Sequence, residues 1–234
     1  MKEGSLTADE LVTCLDSGLS GHVRVADVGP LEVCGEPRIG RWLMAHGAGA
    51  GSDSAFLVAL RERLAEEGVQ TLAIEFEYMQ RMRRENRRRP PPRVDMLVDE
   101  LSRWCDIVSR TGAPPVWLGG KSMGGRVASL LAARDGAPGL ILCGYPFHPP
   151  GKPERTRLDH WPDLRCPTLV LQGTRDPFGR RDEVERYALP TVAHMHYLED
   201  GEHDWKPRKA SGRSQSDLID EAAGRIAAFM SASR

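Results

Sequence analysis

Three residues of this chain have the side-chain types, and the order along the sequence, of a relay that activates a hydroxyl nucleophile: Ser122, Asp176 and His203. A serine hydroxyl is a poor nucleophile at neutral pH, so a histidine must accept its proton and a carboxylate must fix the imidazole tautomer. We therefore predict that Ser122 attacks, His203 carries the proton and Asp176 orients His203. Asp200 and Asp204 are weaker candidates for the acid. Other histidines rank lower because they fall in a predicted strand, a glycine-rich turn or a connecting loop: His46, His148, His160, His194 and His196.

The residues around Ser122 follow the pattern Gly-x-Ser-x-Gly, which is typical of a sharp turn between a strand and a helix. Gly120 and Gly124, two residues before and after the serine, carry no side chain that would keep the strand from the helix. The apolar run Val116–Leu118 predicts the buried strand, and the Ala- and Leu-rich run after the serine predicts the helix. A phosphate-binding P-loop, suggested by Gly-Lys-Ser, needs a glycine where the chain has Pro115, so we reject it.

Backbone N–H groups suited to an oxyanion occur in two places. Met123 begins the helix after the serine, where the N–H groups have no partner within the helix. The glycine-rich turn His46-Gly-Ala-Gly-Ala-Gly51 follows a predicted strand, and the N–H of Ala48 or Gly49 can supply a second donor. Its glycines lack the Gly-x-Gly-x-x-Gly spacing of a dinucleotide-binding turn, which makes phosphate binding the weaker interpretation. We expect His46 to contact the substrate.

Three further residues and one charged segment are candidates for ligand binding. Lys121 adjoins the nucleophile and either attracts an anionic substrate or packs inward. Tyr145 and Phe147 belong to an aromatic and proline-rich loop, 145–150, which we predict to form a wall of the acyl pocket. The arginine/proline segment, 81–93, is expected to be a solvated loop; the alternative is a rim that attracts an acidic substrate or an acidic protein partner.

Length and composition predict a single domain, 1–234, in which residues 1–20 form a short lead-in segment. The 234 residues can bury one sizeable core, and a net charge of -1 gives no general argument for binding nucleic acid or membranes. No apolar run approaches the roughly 20 residues of a membrane span. The five cysteines contain no Cys-x-x-Cys pair, which fits a reducing cytosol, and no metal-ligand spacing is evident. We therefore expect a cytoplasmic protein that needs no cofactor and no metal.

Strand and helix patterns alternate along the chain. Residues 22–36 predict an antiparallel edge hairpin around Gly29-Pro30. Between the strands predicted at 139–143 and 167–171 there is room for a loop and at most a short helix, so we expect an open site with minimal or no lid. The predicted fold class is α/β, with a doubly wound, mostly parallel sheet. The remaining strands are predicted at 41–45, 71–74 and 193–198, and the helices after 52, over 97–108, at 181–186 and after 214.

Together these motifs resemble the alpha/beta-hydrolase superfamily over nearly the whole chain. A narrower resemblance is to a small group of lidless hydrolase-like proteins that includes the hydrolase-like domain of a chromatin acetyltransferase-complex subunit. The run 120–126 around Ser122, which we call the elbow, and the arginine/proline segment are the more specific motifs. The matching residues are His46-Gly-Ala-Gly49, Tyr78-Met79, the arginines before Pro90-Pro91, Gly120-Lys-Ser-Met-Gly-Gly-Arg126, Gly173-Thr-Arg-Asp-Pro177 and His203-Asp-Trp205.

The resemblance implies a serine hydrolase of esters, thioesters, lactones or small amides that works through an acyl-enzyme intermediate. It does not imply which substrate, because this fold carries many chemistries. We expect a carboxylesterase of a small-molecule acyl substrate, with neither nucleic acid nor membrane as a partner. The alternative from another class is a non-catalytic interaction module, in which the arginine/proline segment docks an acidic partner and Ser122 is a relic of the fold.

Overall fold

The computed structural model of the chain describes residues 5–233, and within them eight strands join one sheet. The strands are β1 (Gly21–Val25), β2 (Gly29–Cys34), β3 (Gly40–Ala45), β4 (Val69–Ile74), β5 (Val116–Lys121), β6 (Leu140–Cys143), β7 (Thr168–Gly173) and β8 (Ala193–Leu198). The helices are α1 (Ala8–Asp16), α2 (Ala55–Glu66), α3 (Glu77–Glu85), α4 (Val94–Val108), α5 (Met123–Asp135), α6 (Arg181–Val184) and α7 (Gln215–Ala232), with two short 3-10 helices at Trp161–Asp163 and Lys209–Ser211.

The sheet has the strand order β1-β2-β4-β3-β5-β6-β7-β8. β1 and β2 are antiparallel to their neighbours, and the six strands from β4 to β8 run parallel. This confirms the predicted doubly wound, mostly parallel α/β sheet. Because the parallel strands all end at one edge, the loops that follow β3, β5, β7 and β8 meet there. The topology therefore brings together segments that lie far apart in the sequence.

Helices cover both faces of the sheet, which places a separate apolar core on each side. Side chains of a strand alternate between faces, so in β3 Leu43 joins the core under α4 and α5, whereas Trp42 and Met44 join the core under α2 and α7. Both cores contain side chains with almost no exposed surface. The central strands are accordingly fixed from both sides, and their carboxyl ends form a rigid base for a site.

The edge hairpin is confirmed, but its turn lies earlier than predicted. Gly29 and Pro30 pair with Val25 and Arg24 within the ladder, and the turn occupies residues 26–28. Asp27 in that turn has a φ of 61°, a left-handed conformation that aspartate tolerates better than most residues.

The lead-in segment contributes α1, which packs Leu11 and Leu15 into the core below α4. Thr7 and Glu10 close a capping box at its start, in which each side chain bonds the backbone of the other. The first residues of the lead-in segment, 1–4, lie outside the described residues.

Part of the arginine/proline segment is helical, so the prediction of a loop is wrong for that part. Arg81, Arg83 and Arg84 lie on α3, and Arg83 forms ion pairs with Asp53 and Glu75. Residues 87–93 follow without regular secondary structure. Helix formation there is reasonable, because arginine is a good helix former and the left-handed C-cap at Asn86 ends the helix.

The segment between β6 and β7 confirms the prediction of a minimal lid. It runs from residue 144 to 167 and contains only one 3-10 turn, Trp161–Asp163. Its aromatic residues pack into the core instead of forming a separate cap over the strand ends. The edge where the parallel strands end is therefore open to solvent.

Candidate active site

Ser122 lies at the end of β5 in a backbone conformation that only a tightly constrained turn maintains. Its φ of 51° and ψ of -114° are rare for a residue with a side chain, and its N–H donates to the carbonyl of Cys143 at 2.9 Å. A Cβ atom at Gly120 or at Gly124 would overlap the backbone of Ala45. The two glycines of the pattern are thus required for the contact between the turn and β3, whereas the sequence predicted that they allow the strand and the helix on either side of Ser122 to approach.

The three residues predicted to form the relay are in hydrogen-bond contact. Nε2 of His203 lies 3.0 Å from Oγ of Ser122, and Nδ1 of His203 lies 2.8 Å from Oδ2 of Asp176. The carboxyl group of Asp176 is fully buried, and its Oδ1 accepts the N–H of Phe178 at 2.9 Å. With Asp176 as acceptor, Nδ1 carries the hydrogen and Nε2 is free to accept the hydroxyl proton.

The two weaker candidates for the acid are occupied by other partners. Asp200 forms ion pairs with Arg175 and Arg208, which lower the pKa of its carboxyl group and tie the loop after β8 to the loop after β7. Asp204 lies 3.3 Å from Nζ of Lys121. These contacts leave Asp176 as the carboxylate that faces His203.

The two segments predicted to donate to an oxyanion lie on either side of Ser122. Met123 is the first residue of α5, so its N–H belongs to the set that has no partner within the helix. Ala48 and Gly49 line a cavity together with Ser122. The hydroxyl of Tyr78 donates to the carbonyl oxygen of Ala48 at 3.1 Å and so ties this loop to α3.

His46 does not contact the substrate side of this loop, so its prediction as a substrate-binding residue is wrong. The ring is fully buried and lies 5.1 Å from the ring of Phe76. Nε2 accepts the N–H of Phe76 at 3.1 Å, and Nδ1 donates to the carbonyl of Gly47 at 2.7 Å. Burial lowers the pKa of His46 to about 4, so the ring is neutral and serves to fix the turn.

Tyr145 and Phe147 are also buried in the core, which contradicts their prediction as a pocket wall. Tyr145 packs edge to face with Phe147 and with Trp161, and its hydroxyl accepts the Trp161 N–H at 3.0 Å. The intervening Pro146 faces a cavity at Ser122 instead, together with Phe178. No local sequence signal identified Pro146 in place of its neighbours, because this segment has no regular secondary structure.

Lys121 was predicted either to attract an anionic substrate or to pack inward, and its position is compatible with both. Its side chain is buried and packs 5.6 Å above the ring of Phe56, yet it borders the same cavity as Ser122. Burial lowers the pKa of its amine, and Asp204 acts in the opposite direction. The amine of Lys121 therefore lies beside Ser122, where Asp204 is its ion-pair partner.

Two cavities meet at Ser122. The lysine cavity, about 440 Å³, is lined by Lys121, Ser122, His203, Asp204, Phe56 and residues 47–50 among others. The arginine cavity, about 400 Å³, lies on the other side and includes Met123, Arg126, Arg157, Pro91, Pro92 and Pro146. Both volumes suit a small-molecule ligand. Sequence reasoning missed Arg126, Arg157 and Phe178 as lining residues, because nothing in their local pattern shows which loops meet over the sheet.

Within residues 5–233, no group of three or more histidine, cysteine, aspartate or glutamate side chains is arranged to hold a metal ion. No helix in the same part of the chain has both the length and the apolar composition to cross a bilayer.

The fold and a family comparison agree. A family model described as "Alpha/beta hydrolase domain" matches residues 39–231, which is most of the chain. Similar solved structures include a dienelactone hydrolase from Anabaena variabilis (21% identity, 88% of this chain and 94% of that chain, TM-score 0.63). An α/β serine hydrolase without lid from Xanthomonas campestris (19%, 89% and 96%, TM-score 0.61) and a thermophilic esterase from Thermogutta terrifontis (20%, 90% and 99%, TM-score 0.62) have the same fold. The chain therefore belongs to the alpha/beta hydrolase family.

Proposed function

We propose that this alpha/beta hydrolase is a serine hydrolase, a carboxylesterase of small acyl esters that also accepts the related thioesters or lactones. The observation that carries the proposal is the continuous set of hydrogen bonds from Ser122 through His203 to the buried Asp176. Both distances, 3.0 Å and 2.8 Å, fall within the range needed for proton transfer.

In the first half of the reaction, Oγ of Ser122 attacks the acyl carbon while Nε2 of His203 accepts the hydroxyl proton. Asp176 stabilises the imidazolium that results. The N–H groups of Met123 and of Ala48 or Gly49 donate to the oxyanion of the tetrahedral intermediate. When the intermediate collapses, the bond to the leaving oxygen breaks and that oxygen takes the proton from Nε2.

In the second half, water attacks the acyl-enzyme and gives its proton to the same nitrogen. The bond between the acyl carbon and Oγ of Ser122 then breaks, and the hydroxyl recovers its proton. Water can enter readily because the strand ends carry no lid domain. The amine of Lys121 borders the same cavity and is a donor for an anionic group of the substrate.

Several of the similar structures support this class of reaction, since their descriptions name an esterase, a dienelactone hydrolase and serine hydrolases. We also propose a cytoplasmic location, supported by five cysteines that are all free thiols. The narrower resemblance to the chromatin-associated group stays a prediction.

The test is hydrolysis of p-nitrophenyl esters of graded chain length, combined with labelling by a fluorophosphonate probe. Wild type is expected to turn over short esters and to be labelled, and Ser122→Ala is expected to lose both. The matched control is Ser109→Ala, a serine at the exposed end of α4. Labelling without turnover would keep the serine hydrolase and reject the ester class. Absence of both in a folded wild type would reject the proposal.

A second candidate, docking of an acidic protein partner, is favoured by one observation. Arg87 and Arg88 are exposed beyond the end of α3, and neither has an ion pair with any described residue. Replacing Arg87, Arg88 and Arg89 by glutamate is expected to abolish capture of such a partner while leaving fluorophosphonate labelling of Ser122 intact. Unchanged capture would remove this candidate.

A further inference from the structure

The arginine cavity contains two positive charges that no carboxylate of the described chain neutralises. Arg126 and Arg157 both line it, together with Ser122. Neither guanidinium forms an ion pair among residues 5–233, although most other arginines with buried surface have one. Nε of Arg126 is buried without a hydrogen-bond partner. A buried donor of this kind is unfavourable unless a water molecule or a ligand satisfies it.

Arg126 is held in place by the helix that carries the nucleophile. It lies four residues after Ser122 on α5, and its N–H donates to the Ser122 carbonyl at 3.1 Å. Residues four apart on a helix share a face, so Arg126 lies one turn below the nucleophile, on the same side. Its position relative to Ser122 is thus set by the backbone of the elbow.

Arg157 reaches the same cavity from the segment between β6 and β7. Its backbone is fixed at both ends, since its N–H donates to the carbonyl of Phe147 at 2.7 Å and its carbonyl accepts the Tyr145 hydroxyl at 2.9 Å. Its Nη1 lies 3.4 Å from the carbonyl of Pro146, which also lines the cavity. The buried residues Tyr145 and Phe147 therefore hold the backbone of Arg157, the second cation of the cavity.

The electrostatics of the pair are unfavourable in the free protein. Burial lowers the pKa of Arg157, and the charge of Arg126 lowers it further. The neighbouring His160 does not offset the charge, because burial and Arg126 lower its pKa to about 4 and leave it neutral. Two adjacent guanidinium groups without an anion are an arrangement that a carboxylate ligand would stabilise by charge-assisted, bidentate hydrogen bonds.

The position of His203 indicates which cavity holds the leaving group and which holds the acyl chain. His203 lines the lysine cavity, and its Nε2 must pass a proton to the leaving oxygen, so the leaving group lies on that side. The acyl chain then extends into the arginine cavity. We propose that the arginine cavity binds an acyl group that ends in a carboxylate, so that the preferred substrates are monoesters of short dicarboxylic acids. This inference rests on the proposed serine hydrolase and specifies its acyl group.

In the reaction, Oγ of Ser122 displaces the alcohol of the monoester, which leaves with the proton from His203. The distal carboxylate stays ionised between Arg126 and Arg157 throughout. Water then releases the dicarboxylic acid. No oxidant, reductant or second substrate is needed.

The test compares the monoethyl esters of succinate, glutarate and adipate with their ω-amides, which have nearly the same shape without the charge. Ethanol release is measured for both substrates. The readout is kcat/KM for the monoethyl ester with a free carboxylate, divided by kcat/KM for its ω-amide. For wild type this ratio is expected to exceed about 10 for the best chain length, the effect of a charge-assisted pair. Arg126→Gln and Arg157→Gln should each lower the ratio about 10-fold.

Arg155→Gln is the matched control. Arg155 lies two residues before Arg157, and its exposed side chain does not line the cavity, so the substitution removes the same charge outside the site. Its ratio should equal that of wild type. A wild-type ratio near one, with both esters hydrolysed, would overturn this inference and leave the serine hydrolase intact. An equal loss on both substrates in the arginine variants would also overturn it, because that result indicates a structural role.

A binding measurement tests the carboxylate site without depending on turnover. Ser122→Ala keeps both arginines, and calorimetry should show that it binds monoethyl adipate at least about 10-fold more tightly than the ω-amide. The preference should disappear in the double variant Ser122→Ala/Arg157→Gln. If wild type hydrolyses nothing and is not labelled, the proposed function fails, and this measurement still decides the cavity. Equal binding of acid and amide would rule out the carboxylate site.

Discussion

Asp176→Asn is the sharpest test of the proposed relay, because the structure determines how the amide must be oriented. The carboxyl group of Asp176 is fully buried, and each oxygen has one donor. Oδ2 lies 2.8 Å from Nδ1 of His203, and Oδ1 accepts the N–H of Phe178 at 2.9 Å. Asparagine has the same shape but only one acceptor. The Phe178 N–H is a fixed donor, so the amide oxygen takes its side and the NH₂ group faces His203.

An NH₂ group facing Nδ1 can only donate, so the hydrogen of His203 must move to Nε2. Nε2 then presents a hydrogen to Ser122 and is unable to accept the hydroxyl proton. The same substitution in a serine-protease triad lowers kcat about 10⁴-fold for this reason. We expect a loss of about 10⁴-fold here, which corresponds to roughly 5 kcal/mol of transition-state stabilisation.

The assay is kcat on a p-nitrophenyl ester, with the rate of fluorophosphonate labelling measured on the same samples. Asp204→Asn is the matched control, because Asp204 contacts Lys121 beside the site and does not orient His203. Its loss should be smaller by at least about 10². If Asp176→Asn keeps most of its activity, or if both variants lose equally, the tautomer argument is refuted.

Three further predictions concern the parts that hold the relay. Gly124→Ala should lower the free energy of unfolding, measured by urea titration, by about 2 kcal/mol and reduce activity, since a Cβ there overlaps a carbonyl of β3. The control Gly224→Ala, which adds a methyl group in open space on α7, should raise the free energy of unfolding by about 0.5 kcal/mol. Burial lowers the pKa of His46 to about 4, so the unfolded chain binds more protons than the folded chain below pH 6.5. The free energy of unfolding should therefore fall by up to about 3 kcal/mol between pH 6.5 and pH 4, and it should fall less steeply in His46→Gln. Tyr78→Phe should lower kcat about 10-fold, because the hydroxyl no longer holds the peptide of Ala48, while unchanged kcat would exclude that role.

The sequence was sufficient to predict the fold class and the proximity of Ser122, Asp176 and His203, because both predictions rest on local signals tied to topology. The Gly-x-Ser-x-Gly pattern needs a strand before it and a helix after it, and both could be predicted around Ser122. Asp176 and His203 each follow a predicted parallel strand, whose carboxyl ends meet at one edge. Only this shared edge was needed to infer that the three side chains are neighbours.

The orientation of loop side chains could not be predicted in the same way. Tyr145 and Phe147 were expected in the pocket, yet both pack in the core against Trp161, which follows them by more than a dozen residues. Likewise, Arg126 and Arg157 meet across segments that are separate in the sequence. A loop has no fixed period, so its inward and outward residues are decided by tertiary packing.

The late position of α7 in the chain has a consequence for folding during synthesis. Trp42 and Trp117, on central strands, belong to the core that α7 completes with Ile226 and Met230. A ribosome makes that helix last among the described elements, roughly ten seconds after β5 at ordinary elongation rates. Until then this apolar face of the sheet is covered by α2 and by Trp205 in the loop after β8. The apolar face of β3 and β5 that carries Trp42 and Trp117 thus stays partly uncovered until α7 has been made.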